Sequence, residues 1–201
     1  MKLIGLSGGI ASGKSTVEKM FSALGANIVD ADQLYHRLIK PEGQTPSPLT
    51  QRISAIFPSV LKADGALDRK GLGDIVFQDK NARQQLESLT HPEVARAFSE
   101  HVEASRKAGS NHCIYSVPLL FEKGLEESFH ATIVVWLPEE IQRERLRTRD
   151  GLTSEEIEHR LKAQMPLAEK KEKASWVVDN SGTLETTQKA VEEIWLQLAL
   201  D

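Results

Sequence analysis

Eight consecutive residues, Gly8-Gly9-Ile10-Ala11-Ser12-Gly13-Lys14-Ser15, fit the pattern G-x-x-x-x-G-K-[ST]. Glycines let a backbone wrap until its N–H groups face inward, and the positive end of a following helix adds to their field. The chemistry of such a loop is phosphate binding. Gly8, Gly9, Ala11, Ser12 and Gly13 would contribute through the backbone, and Lys14 would bring a full positive charge to the β- and γ-phosphates. The Ser15 hydroxyl is placed to ligate Mg²⁺, and Thr16 to bond an α-phosphate oxygen. A match of this kind arises by accident in roughly 1% or less of chains of this length. The context is also right, since a strand-like run precedes the motif and a helical pattern follows it. The sequence predicts a nucleoside triphosphate site.

Kinases of small molecules, GTPase switches and motor ATPases share this loop. The chain has no Asn-Lys-x-Asp element for reading guanine and no apolar run ending in Asp-Glu. Asp30-Ala31-Asp32 closes a predicted strand, where open α/β sheets form their ligand crevice. By the strand period of two, both carboxylates would project to one side. Asp32 then has two readings of equal standing: a carboxylate that accepts the proton of an attacking hydroxyl, or the N-cap of the next helix. Arg143, Arg145, Arg147 and Arg149 form two i,i+4 pairs on one helix, and Arg160 follows in the next. Most of them are expected to be neutralised by neighbouring glutamates, yet arginines on a mobile cover suit the charge of a phosphoryl group in transfer.

These residues need elements to position them. Five apolar runs read as strands: Lys2 to Leu6, Asn27 to Asp30, His112 to Val117, His130 to Leu137 and Trp176 to Asp179. None alternates strictly with polar residues, as expected of a parallel sheet covered on both faces, so the class is α/β. Val17, Met20, Phe21 and Leu24 make one helical face, with Gly25 at the C-cap. From Pro41 to Gly109 the connection is too long for one crossover and reads as several helices, around Leu49 to Phe57, Lys70 to Phe77, Asn81 to Leu89 and Pro92 to Lys107. A second excursion runs from Pro138 to about Lys173; its second helix opens on a capping box at Thr153-Ser154-Glu155-Glu156. A last amphipathic helix spans Leu184 to Leu200.

The chain has 201 residues, 40% of them apolar, and a formal net charge of −4. That is a folded composition for one domain with an insertion, without the basic excess that bulk nucleic-acid binding requires. No apolar stretch is long enough to span a membrane, and the first residues lack the apolar core of a secretory signal, so a cytoplasmic location is expected. The one cysteine, Cys113, reads as a small buried hydrophobe.

Read along its length, the sequence resembles the dephospho-coenzyme A kinase family. The resemblance is carried by Ile4-Gly5-Leu6-Ser7-Gly8-Gly9-Ile10 with Ser12-Gly13-Lys14-Ser15-Thr16, by Val29-Asp30-Ala31-Asp32, and by Gly65-Ala66-Leu67-Asp68-Arg69. Leu89-Thr90-His91-Pro92, Val117-Pro118-Leu119-Leu120-Phe121-Glu122, Gln142 with Arg145-Leu146 and Arg149-Asp150-Gly151, Arg160 with Gln164, and Asp179-Asn180-Ser181-Gly182 continue it. It implies a P-loop nucleotide-kinase-like three-layer fold. Residues 1–40, 110–138 and 174–201 would form the ATP-binding core, 41–109 a helical acceptor subdomain, and 139–173 a lid. It also implies transfer of the ATP γ-phosphate to the ribose 3′-hydroxyl of dephospho-CoA, with Mg²⁺.

By resemblance Asp32 falls on the catalytic aspartate, and Arg145, Arg149 and Arg160 on lid arginines. Arg69 and His91 fall in substrate-facing motifs, with His91 read either as a substrate contact or as a ring packed at a helix start before Pro92. Asn180 and Gly182 fall beside the adenine or in an ordinary turn. Two positions depart from the family pattern. Ala11 stands where glycine is usual and is expected to keep negative φ, and Ala174-Ser175 replaces Ala-Asp at a position expected to be structural.

Overall fold

The computed structural model describes residues 1–200, with side chains through Leu198. Five strands form one sheet in the order β2-β3-β1-β4-β5: β1 (Lys2–Gly8), β2 (Asn27–Asp30), β3 (His112–Ser116), β4 (Ala131–Trp136) and β5 (Trp176–Asp179). Central β1 pairs in parallel with β3, Ile4 opposite Ile114, and with β4, Leu6 opposite Ile133. Both faces are covered, as the unbroken apolar runs require. Ile4, Leu6, Ile133 and Val135 pack on one side with Val17 and Phe21 of α1 (Lys14–Ala23) and Val191 and Ile194 of α9 (Leu184–Leu200). Val134, one residue out of phase, faces Leu120, Phe121 and Leu167 on the other side. Gly5 is on that side too, where a Cβ would come within 2.5 Å of the Leu120 side chain. Cys113 is fully buried in β3, and burial pushes its thiol up to about 11.

The chain divides into two compact units, Met1–Val29 with the chain from Ser105 onward, and Asp30–Ala104. The second contains α2 (Ala31–Leu38), α3 (Pro48–Ile56), α4 (Arg69–Gln78) and most of α5 (Lys80–Lys107), around a core that includes Leu49, Ile53, Phe57, Val60, Leu67 and Leu72. α2 therefore belongs to the helical unit, not to the sheet unit with which the sequence grouped it. The two helices expected on either side of Pro92 are one continuous helix. Proline removes a single i to i−4 bond. In the turns before it, the Ser88 hydroxyl donates to the Gln85 carbonyl at 2.9 Å and the Thr90 hydroxyl to that of Leu86 at 2.8 Å. Just after it, Glu93 pairs with Arg96, and with Arg52 of α3.

The 139–173 segment lies in the sheet unit and forms α6 (Glu139–Asp150), α7 (Ser154–Lys162) and α8 (Leu167–Lys173). Gly151, at φ 65°, ends α6, and Thr153 with Glu156 makes the expected capping box. Ser175 is structural: it exchanges hydrogen bonds with Thr132, its hydroxyl accepting from the Thr132 N–H at 3.0 Å and its N–H donating to the Thr132 hydroxyl at 3.2 Å.

α8 is anchored by Lys170, whose side chain is fully buried and whose Nζ lies 2.8 Å from both Glu122 Oε1 and the Pro118 carbonyl. Burial holds the Lys170 ammonium below its ordinary pKa, against the opposing pull of Glu122. Glu122 also accepts from the Met165 N–H at 2.9 Å, so α8 and its entry turn are tied to the loop after β3. Removing one partner of a buried pair strands the other charge. Lys170→Met is expected to cost about 3–5 kcal/mol in urea unfolding, with most of it recovered in the Lys170→Met/Glu122→Leu double variant.

Candidate active site

The loop between β1 and α1 opens on the positive end of α1. Gly13 is the N-cap at φ 88°; no side chain caps the helix and no acidic residue occupies its first turn. A helix start left in this state is a ready anion site. Gly13 is required twice over, since a Cβ there would lie 2.1 Å from Asn180 Nδ2. Asn180 is buried. Its Nδ2 donates to the Ser12 carbonyl at 2.7 Å, its Oδ1 accepts from the Thr187 hydroxyl of α9 at 2.9 Å, and its own carbonyl accepts from Arg145 Nη2 at 2.8 Å. Neither reading offered by the sequence, an adenine contact or an ordinary turn, includes this bracing of the loop through a buried side chain.

Ala11 departs from expectation. Its φ is 59°, the only positive value for a non-glycine residue among the described residues, so the glycine-like backbone is kept despite the Cβ. The neighbouring Ile10 N–H turns away from the other loop amides to donate to Gln164 Oε1 at 2.9 Å, and the Ile10 carbonyl accepts from Gln142 Nε2 at 2.6 Å. Ser12 Oγ is buried without a partner among the described residues.

Lys14 Nζ is 2.7 Å from Glu18 Oε1, one turn along α1, and hydrogen-bonds the hydroxyl of Ser116 at the end of β3, which itself donates to Glu18. The Ser15 side chain is exposed at the start of α1. Of the four arginines of α6, three are paired: Arg143 with Glu139 and Glu158, Arg147 with Glu144, and Arg149 with Asp150. Arg145 turns to the loop. Besides Asn180, its Nη1 reaches the Ala11 and Ser12 carbonyls at 3.4 Å. Together with Arg149, Ala11, Gly13 and Thr16 it lines a cavity of about 380 Å³, which continues past Asn180 and Gly182 to Leu184. Arg160 does not line this cavity; its charge reaches Asp150 and Glu156, whose carboxyls sit below their ordinary range, chiefly through bonds from Arg149 and from the Thr153 backbone respectively.

In the helical unit, the N-cap of α2 is Asp30, whose Oδ1 accepts from the Gln33 N–H at 2.7 Å. Asp32 is thus not the cap but an exposed first-turn residue, and the period of two fails because the strand has already become helix. Arg69 opens α4, and its charge reaches the Tyr35 phenol, which burial raises above its ordinary value. Tyr35 is the i+3 neighbour of Asp32 on α2, so Arg69 lies toward the helix that carries the carboxylate. His91 is exposed inside α5, and no helix starts there for its ring to pack against.

The family model described as dephospho-CoA kinase matches residues 2–186. The chain belongs to the dephospho-CoA kinase family. The dephospho-CoA kinase of Anaeromyxobacter dehalogenans is 47% identical over 188 residues, 92% of this chain and 86% of the relative. A crystallised Thermus thermophilus protein superposes with a TM-score of 0.83 at 34% identity, covering 98% of this chain and 97% of its own. Dephospho-CoA kinase from Campylobacter jejuni superposes with a TM-score of 0.67 at 26% identity and the same coverage.

Within this family member, several residues at the site carry no sequence motif for their part in it. Glu18 and Ser116 bracket Lys14 but are 98 residues apart, and Thr187 meets Asn180 only because α9 packs behind the loop. Gln142 did leave a trace: it shares a helix face with buried Leu146, where a polar residue needs a partner. Asn180→Leu removes one bond each from the Ser12 carbonyl and the Thr187 hydroxyl, which keep only the longer contacts to Arg145 at 3.4 Å and to the Thr183 carbonyl at 3.2 Å, and is expected to lower stability by about 1–2 kcal/mol in chemical denaturation.

Proposed function

We propose that this chain transfers the γ-phosphoryl group of ATP to the 3′-hydroxyl of the ribose of dephospho-CoA, giving CoA and ADP, the last step of coenzyme A synthesis. One observation carries the reading: in a chain of this family, the glycine loop opens on an uncapped helix start that presents Lys14. An uncapped helix N-terminus and a buried, unpartnered Ser12 hydroxyl beside it suit a polyphosphate. Catalysis of phosphoryl transfer is mostly positioning and charge stabilisation. The loop amides and Lys14 hold the phosphates. For the lysine this means exchanging Glu18 for a phosphate oxygen, a modest change of partner for an ammonium already desolvated in part.

Arg145 and Arg149 border the cavity and would meet charge spreading over the phosphoryl oxygens, Arg149 after leaving its exposed pairing with Asp150. Arg160, placed away from the cavity, would contribute through its electrostatic link to Asp150. Asp32, in the first turn of α2 after the Asp30 cap, would accept the proton of the attacking hydroxyl as the new O–P bond forms and the β,γ-bridging P–O bond breaks. Arg69, and His91 on the exposed face of α5, would serve the acceptor. Mg²⁺, when bound, would supply positive charge that offsets that of the triphosphate, and the Ser15 hydroxyl is the side chain that would hold it; among the described residues no group of three or more His, Cys, Asp or Glu forms a separate metal site. A cytoplasmic location, where ATP is abundant, would suit this reaction. Among the described residues no helix is long and apolar enough to cross a membrane.

A coupled ADP-release assay offering dephospho-CoA, AMP, CMP and nucleosides tests the proposal: turnover is expected with dephospho-CoA, and preference for a nucleoside monophosphate would sink it. In the same assay Asp32→Asn is expected to lower kcat by at least ~10²-fold with the KM for ATP little changed.

A further inference from the structure

Ile10 is the one loop residue whose two peptide groups both end on side chains. Its N–H meets Gln164, which follows α7, and its carbonyl meets Gln142 of α6, a side chain only 5% exposed. The contact with Gln142 is built into the loop: a Cβ on Gly9 would come 2.8 Å from Gln142 Nε2, so glycine there lets the amide pass. In a planar trans peptide the carbonyl and the following N–H point in opposite directions. Holding the Ile10 carbonyl against Gln142 therefore aims the Ala11 N–H the other way. The same logic applies one unit earlier, where the Ile10 N–H faces Gln164 and the Gly9 carbonyl turns to accept from the Ser12 N–H at 3.1 Å. Between them the two glutamines set the rotation of two successive peptide planes. The second of these leads into Ala11, whose left-handed φ of 59° an alanine does not adopt unaided and which lines the cavity.

We infer that Gln142 and Gln164 are positioning residues for the donor nucleotide: they clamp the Ile10 peptide, keep Ala11 left-handed, and thereby present the Ala11 N–H to the phosphates. The inference rests on the loop being the ATP site. It makes the competence of the loop depend on α6 and on the turn between α7 and α8, so that a shift of those helices is felt at the phosphates through two amide side chains. Gln142 acts as a donor and Gln164 as an acceptor, and this polarity separates a positioning role from mere packing.

The test measures ATP affinity by direct titration, the KM for each substrate, and Tm. Gln142→Met is expected to weaken ATP binding about tenfold, with the KM for dephospho-CoA changed by less than about twofold, because only the donor site is deformed. In the Gln142→Met/Ala11→Gly double variant, where left-handed backbone costs glycine nothing, at least about half of that loss on a logarithmic scale is expected to return. At the other clamp, Gln164→Glu, which keeps the acceptor, is expected to bind ATP at least about threefold more tightly than Gln164→Leu. Equal effects on both substrates, a fall in Tm without loss of ATP affinity, or no recovery with Ala11→Gly would overturn the inference. Lys14→Ala keeps the two failures apart: if it binds ATP as the unmodified chain does, the loop is not the ATP site, whatever the glutamine variants show.

Discussion

A phosphate site made from backbone N–H groups has to leave the groups that face the phosphates without internal partners, and so it can hold only part of its shape by its own hydrogen bonds, here the one from the Ser12 N–H to the Gly9 carbonyl. The support has to come through the carbonyls on the reverse side of the same peptides. In this chain three buried or half-buried side chains supply it: Asn180 at the Ser12 carbonyl, Gln142 at that of Ile10, and Arg145 at those of Ala11 and Ser12. Behind them stand Thr187 on α9, and Glu122 with Lys170 under α8. Much of the sheet unit outside the strands serves to immobilise a few atoms that receive no direct support.

The sheet makes this possible by putting β1 in the centre. The loop leaves a strand hydrogen-bonded on both edges and buried on both faces, so its first anchor, Gly8, is fixed before any side chain acts. α1 then departs with Val17 and Phe21 in the core, which fixes the second anchor. Only the residues between the anchors need outside help, and that is where Gln142, Gln164 and Asn180 converge.

The strands and the loop were legible because their signals are local. Ile133-Val134-Val135 is apolar without interruption since its alternate residues enter two different cores, and Gly13-Lys14-Ser15 sits between a strand and a helical face. What the sequence concealed is non-local or context-dependent. Pro92 read as a boundary, but α5 runs through it, since a proline removes only one of the many backbone bonds of a long helix. The capping role expected as one alternative for Asp32 belongs to Asp30, a shift of two residues that follows from the strand ending one residue before the helix. Ala11 was expected at negative φ because alanine prefers it, and tertiary bonds to Ile10 override that preference. Of the arginines on α6, only their partners distinguish Arg145 from the rest, and those partners are carbonyls that leave no mark on residue type.

The single cysteine acquires a meaning from the acceptor. Dephospho-CoA and CoA both end in a thiol, and a protein thiolate within reach of such a molecule is open to disulfide exchange. Cys113 is enclosed in the middle of β3, with its thiol pushed up to about 11. At neutral pH it stays protonated and out of contact, so the chain meets a sulfhydryl substrate with no thiolate of its own to offer.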